Sequence, residues 1–173
     1  MENVLEALKT RRSIRAYSDK PVAGELVDQI LEAGLYAASG NGRQSAEFVL
    51  VTDAALIKRL SQMNAAVMGA SGDPFYGAPV AIVVFADSDV ATFVQDGSLA
   101  MGNLMLAAHA LGLGSVWINR AKQMFQSDEG KMLMSQWGLS QSMEGVGICV
   151  VGHAAGALPV AAPRRKGRIH RAD

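Results

Sequence analysis

Seven consecutive apolar residues, Val80 to Ala86, follow the turn-forming Gly77-Ala78-Pro79 and leave no polar face. A run this short, bounded by breakers, reads as a strand of the fully buried kind, which needs a sheet covered by other elements. A second segment makes a similar demand. Gly97 to Leu111 is apolar or small on nearly every side, so it reads as a helix packed all round by protein, with a subunit interface as one way to cover it. A membrane span needs about 18 or more apolar residues, and Asn103 and His109 interrupt this shorter run.

The remaining pattern alternates helical and extended segments without a linker or repeat. Val4, Leu5 and Leu8 mark one face of a first helix, and Leu26, Val27, Ile30, Leu31 and Leu35 mark a second. Glu47 to Thr52 reads as a strand, and Asp53 as the cap of a helix carrying Leu56, Ile57 and Leu60. Asp96 or a neighbour starts the long apolar helix, which Gly112 and Gly114 close before a strand Ser115 to Asn119. A helix over Glu129 to Trp137 and a strand over Val146 to Gly152 complete the series. The chain of 173 residues is expected to form a single domain, residues 1–173, in which 157–173 is a basic, Pro/Ala-rich tail without periodicity. Such a tail is either disordered or ordered by binding something.

Charge is balanced, 16 basic against 16 acidic residues, so nothing global draws the chain to nucleic acid or membrane. Local clustering therefore carries the information. Arg11-Arg12-Ser13-Ile14-Arg15 reads either as a solvated face after a helix or as an anion site, since guanidinium groups match phosphate oxygens two bonds at a time. A second cluster near the other end, Arg164-Arg165-Lys166 after Pro163, favours an anion shared by both. Cys149 is the one cysteine, which precludes an intrachain disulfide, and its apolar setting makes it a small buried hydrophobe. The start Met1-Glu2-Asn3-Val4 has no signal-peptide pattern, so a cytoplasmic location is the expectation.

These stretches also carry a family resemblance. Arg11 to Tyr17, Ala37 to Ser45, Gly77-Ala78-Pro79, Asp96 to Asn103, Leu111 to Ile118 and Pro163 to Lys166 occur in the order found in FMN-dependent nitroreductases of the short-chain branch, which the sequence resembles. The resemblance implies an α+β fold with a mixed central β-sheet flanked by helices, built as an intertwined homodimer with FMN at each subunit boundary. It implies an enzyme that passes hydride from NADH or NADPH through flavin N5 to small electron-poor acceptors, such as nitroaromatics, quinones or enones, in a ping-pong order. The alternative is a flavin-binding or storage protein without NAD(P)H turnover.

The resemblance also assigns roles. Arg11, Arg12 and Ser13 meet the FMN phosphate and ribityl end, and Arg15 the pyrimidine edge, where positive charge stabilises reduced flavin. Arg164, Arg165 and Lys166 resemble a terminal phosphate clamp. Ser39, Gly40 and Gln44 resemble a loop that reaches the flavin from the partner subunit, although Gly40-Asn41-Gly42 also reads as a plain turn. Asn119 and Arg120 fall where backbone amides turn toward N5, and Gly152 and His153 close to the ring. His153 reads as readily as a structural strand-end residue. No catalytic side chain is expected, because the cofactor carries the chemistry.

Other chemistries find little support. His109, His153 and His170 are widely spaced, so no metal centre is expected. Gly112-Leu113-Gly114 lacks the third glycine of a dinucleotide fingerprint and precedes a strand. Gly69 to Asp73 does not form a nucleophile elbow. The basic tail lacks interleaved aromatics, so nucleic acid is not expected as a partner.

Overall fold

A computed structural model describes residues 4–172. Its elements run α1 (Val4–Thr10), α2 (Gly24–Leu35), β1 (Ala46–Val51), α3 (Ala54–Met68), β2 (Val80–Asp87), α4 (Phe93–Ala110), β3 (Gly114–Ile118), α5 (Ala121–Gln126), α6 (Asp128–Gln136) and β4 (Met143–Gly152). The fold is α+β. One four-stranded sheet, ordered β1-β2-β4-β3, is antiparallel at every strand pair. A parallel contribution comes from an isolated bridge between Ser13 and Ser115 at the β3 edge, so the sheet is mixed only through that bridge.

The apolar run at 80–86 explains the centre. β2 lies between β1 and β4, and each of its residues from Val80 to Ala86 is buried. Alternate side chains supply two cores. On one face Ala81, Val83 and Phe85 pack with Leu60 of α3, Met124 and Phe125 of α5 and Leu133 of α6. On the other, Val80, Ile82 and Val84 pack with Ile30 of α2 and Met101 and Leu104 of α4. Phe85 meets Phe125 edge-on with ring centroids 4.7 Å apart, an arrangement that adds about 0.5–1.5 kcal/mol beyond its burial.

Several boundaries differ from the sequence reading for local reasons. Asp53 caps α3 as expected, its Oδ1 accepting from the Leu56 N–H at 2.8 Å. Asp96 does not start α4, which begins at Phe93 after Thr92; the Asp96 carboxylate is instead turned inward to bind a neighbouring loop. The helix expected over 129–137 is α6, displaced by one residue; α5 before it is a further short helix, ended by Ser127, whose Oγ also caps α6 by accepting from the Gly130 N–H. β4 begins three residues early, since Met143 and Glu144 still pair with Asp87 and Ala86.

Helix α4 is packed on one side only. Ala100, Met101, Leu104 and Ala108 are buried, whereas Leu99 is 51% exposed and Gly102 and Ala110 face outward. Val4, Leu5 and Leu8 of α1 and Leu35 and Tyr36 at the end of α2 are exposed as well. Among the described residues no helix is long and apolar enough to cross a membrane.

Candidate functional site

The segment after α1 is sewn to the sheet. Ile14 N–H donates to the Ser115 carbonyl at 3.0 Å, Ser18 N–H to the His153 carbonyl at 2.9 Å, and Ala155 N–H to the Ala16 carbonyl at 3.0 Å. Tyr17 bridges Ala154, and its hydroxyl donates to the Ile14 carbonyl at 2.9 Å. Two glycines permit this closeness. A Cβ on Gly114 would sit 2.8 Å from Ile14, and one on Gly152 would sit 2.8 Å from both Tyr17 and Pro79. Gly152 is therefore required for packing. The stitching brings Arg11, Arg12, Ser13, Arg15, Gly152 and His153 together where β3 begins and β4 ends.

Within this cluster the three guanidinium groups are used differently. Arg12 Nη1 donates to the Lys9 and Arg11 carbonyls at 2.7 and 2.8 Å, closing the end of α1. Arg11 is half-buried, and its Nη1 is a buried donor without an acceptor. Arg15 is exposed. The ion pairs Arg59–Glu129 and Lys122–Glu144 lie elsewhere, so no acidic partner neutralises the cluster among the described residues. Burial pushes the neighbouring Cys149 thiol up to about 12, with the Arg11 charge opposing that rise; the thiol is neutral at physiological pH and behaves as a hydrophobe. Burial first, then Cys149, raises Tyr17 above its ordinary value, so its phenol stays a donor. A cleft of about 210 Å³ opens beside the cluster, lined by Arg12, Ile14, His109, Gly114, Ser115 and Leu158 among others.

Asn119 and Arg120 lie at the far end of β3, about 14 Å from Ser115 at ~3.4 Å per residue. Both are exposed. Arg120 has φ +75°, a left-handed conformation uncommon for a non-glycine residue. The Asn119 carbonyl accepts from Asn64 Nδ2 at 2.7 Å.

Ser39, Gly40 and Gln44 belong to a loop at the opposite edge. It leads into β1, which three inter-strand steps of ~4.8 Å separate from β3 by about 14 Å. Asn41, Gly42 and Gln44 all have positive φ. Three donors to one buried carboxylate hold this shape: Gly40 N–H and Ser45 Oγ reach Asp96 at 3.0 and 2.7 Å, and Thr92 Oγ1 at 3.3 Å. Burial alone would raise the Asp96 pKa, but these bonds more than offset it and hold the carboxyl below its ordinary value. Ser39 Oγ accepts from the Gln44 N–H at 3.0 Å. One chain therefore does not bring this loop to the Arg11 cluster.

The tail is likewise separate. Leu158 lines the cleft beside Arg12, but Arg164, Arg165 and Lys166 are exposed and make no hydrogen bond or ion pair among the described residues. Two residues that hold the site's frame carry little local signal in the sequence. Asp96 reads there as a helix start and not as the anchor of a loop. Asn64 follows Ile57 and Leu60 on the buried stripe of α3, where a polar residue is a signal in itself.

The nitroreductase family model matches residues 8–74 and 64–153. A protein of Methanothermobacter thermautotrophicus named as an NADH dehydrogenase/NAD(P)H nitroreductase is 40% identical over 119 residues, 66% of this chain and 60% of that protein. A Bacillus subtilis protein named FMN reductase [NAD(P)H] is 31% identical over 145 residues, 70% of this chain and 56% of that one. The chain thus spans little more than half the length of these relatives. A crystal structure of a Bacteroides fragilis nitroreductase with bound FMN superposes with a TM-score of 0.91 at 27% identity, covering 100% of both chains.

Proposed function

Since the chain belongs to the nitroreductase family, we propose that it is an FMN-dependent oxidoreductase that uses NADH or NADPH and works as a homodimer. The observation that carries this reading is the unneutralised Arg11–Arg15 cluster at the β3 edge, with a buried Arg11 Nη1 lacking an acceptor. A buried donor left unmet costs about 1–3 kcal/mol, and a phosphate dianion would satisfy it and the adjacent charges. The residues present therefore fit FMN.

FMN held here would supply the redox chemistry that carries reducing equivalents from NADH or NADPH to a small electron-poor acceptor such as a nitroaromatic, quinone or enone, in ping-pong order. The chain's residues bind and orient. Arg11 and Ser13 hold the phosphate end, with Arg12 adding charge while it closes α1. Arg15 presents positive charge to the pyrimidine edge. The Asn119–Arg120 turn, at the far end of β3, offers backbone N–H toward the ring, whereas Gly152 and His153 lie at the Arg11 end, beside the phosphate and ribityl chain and not beneath the ring. Ser39, Gly40 and Gln44 serve the site from a second copy, because their own edge of the sheet lies too far from Arg11. Arg164, Arg165 and Lys166 complete the phosphate clamp when the tail docks. Dimerisation is supported by the exposed apolar side chains of Val4, Leu5 and Leu8 on α1, Leu35 and Tyr36 at the end of α2 and Leu99 on α4, which a second copy would cover.

The test is the visible spectrum of the purified protein before and after anaerobic NADH or NADPH. Flavin bands that bleach are expected. Bands that persist with both nucleotides would overturn the reductase reading in favour of flavin storage, and a protein that takes up no FMN would overturn both. Arg11→Ala is expected to weaken FMN binding by about 1.5–3 kcal/mol; unchanged affinity in a calorimetric titration would remove Arg11 from the site.

A further inference from the structure

Asn64 is 0% exposed in the middle of the stripe that α3 turns toward the sheet. Its Nδ2 donates to the Asn119 carbonyl at 2.7 Å and touches Met124 Sδ at 3.1 Å. Its Oδ1 is buried without a donor. An apolar residue at this position would avoid that unmet acceptor, so the bond to Asn119 is the amide's evident purpose.

The bond fixes a peptide plane. The carbonyl of Asn119 and the N–H of Arg120 belong to one trans peptide unit and point in opposite directions. With the carbonyl drawn inward to Asn64, the Arg120 N–H is turned away from the core, at a residue whose side chain is exposed. It has no acceptor among the described residues. The neighbouring φ of +75° at Arg120 is a conformation that costs about 1–2 kcal/mol for a non-glycine residue and persists only where the surroundings impose it.

We infer that Asn64 is a positioning residue: it clamps the Asn119–Arg120 peptide so that the Arg120 N–H stands as a fixed hydrogen-bond donor to a ring nitrogen of a ligand lying along the β3 edge. This inference rests on the FMN reading, under which that acceptor is flavin N5. Asn64 acts from beneath the backbone without touching the ligand.

The test compares FMN with 5-deaza-FMN, in which carbon replaces the N5 acceptor, by titration into the wild-type protein and into Asn64→Leu. Wild-type protein is expected to bind FMN roughly two- to tenfold more tightly than 5-deaza-FMN, the scale of one hydrogen bond. Asn64→Leu is expected to bind the two equally. A merely structural role would weaken both ligands alike and leave their ratio intact, and that result would overturn the inference. Equal binding of both ligands by the wild-type protein would overturn it too. Should Asn64→Leu fail to fold, amide exchange of the wild-type protein decides: the Arg120 N–H is expected to gain protection with FMN and not with 5-deaza-FMN, and equal protection would contradict the assignment. Failure of the wild-type protein to bind either flavin would count against the FMN reading itself and take this inference with it.

Discussion

The two faces of the sheet are finished to different degrees. On the α3–α5–α6 face, Phe85, Phe125, Leu60 and Leu133 are all buried within one chain. On the α2–α4 face the inner layer is equally dry, with Ile30, Met101 and Leu104 buried, yet the outer sides of its helices expose Leu99, Leu35, Tyr36 and the whole apolar stripe of α1. The closed face is where a single chain gets its stability. The open face is where the proposed second copy would sit, and the loop that Asp96 pins lies on that same side, at the start of α4.

The largest effect should come from breaking the closed face. Phe85→Ala removes a fully buried ring and its contacts with Phe125 and Trp137, and chemical denaturation should show a loss of about 3–5 kcal/mol. Next, Leu99→Glu on the open face places a charge where a second copy would cover it. It should weaken self-association by ~3 kcal/mol, about a hundredfold in dissociation constant, while far-UV circular dichroism stays unchanged. If both substitutions acted only on the fold, the distinction between the faces would be lost.

Smaller effects sharpen the same contrast. Asp96→Ala strands the Gly40 N–H and the Ser45 hydroxyl, costing about 1–3 kcal/mol and loosening loop 39–45, which amide exchange would detect. The acid side follows from the same carboxylate. Its folded pKa lies below the ordinary value, so between the two values the unfolded chain binds more protons. The stability it contributes is complete above the ordinary aspartate range and is lost as pH falls through the folded value. Acid titrations of wild-type protein and Asp96→Ala should therefore converge at low pH. Smallest of all, Asp53→Ala removes the α3 cap and should cost about 1 kcal/mol, measured as a shift in the denaturation midpoint without change in oligomeric mass.

Patterns with a single period were legible in the sequence. The apolar run of β2, the Asp53 cap and the stripe of α2 each follow from local spacing, and the structure places them within a residue or two of expectation. Helix α5 was not, because its six residues are too few to display a helical period before Ser127 ends it and caps α6. The basic run at 11–15 was visible, but its division of labour was not. Arg12 closes α1 through the neighbouring carbonyls of Lys9 and Arg11, whereas the burial that leaves the Arg11 Nη1 unmet comes with a segment bridged to β3, a contact about a hundred residues away in sequence. Asn64 and Asp96 were hidden for the same reason: each acts on backbone that is distant in the chain. The uncovered side of α4 answers the sequence's demand for a helix packed all round only if a second copy supplies the missing half.

Sedimentation velocity followed at a flavin wavelength tests the central claim most directly, since it reads cofactor and assembly in one boundary. Flavin absorbance should travel with a species of twice the 18.2 kDa chain mass. Flavin on a species of single-chain mass would contradict a site completed by a second copy, and absorbance that stays behind as free flavin would contradict the site itself.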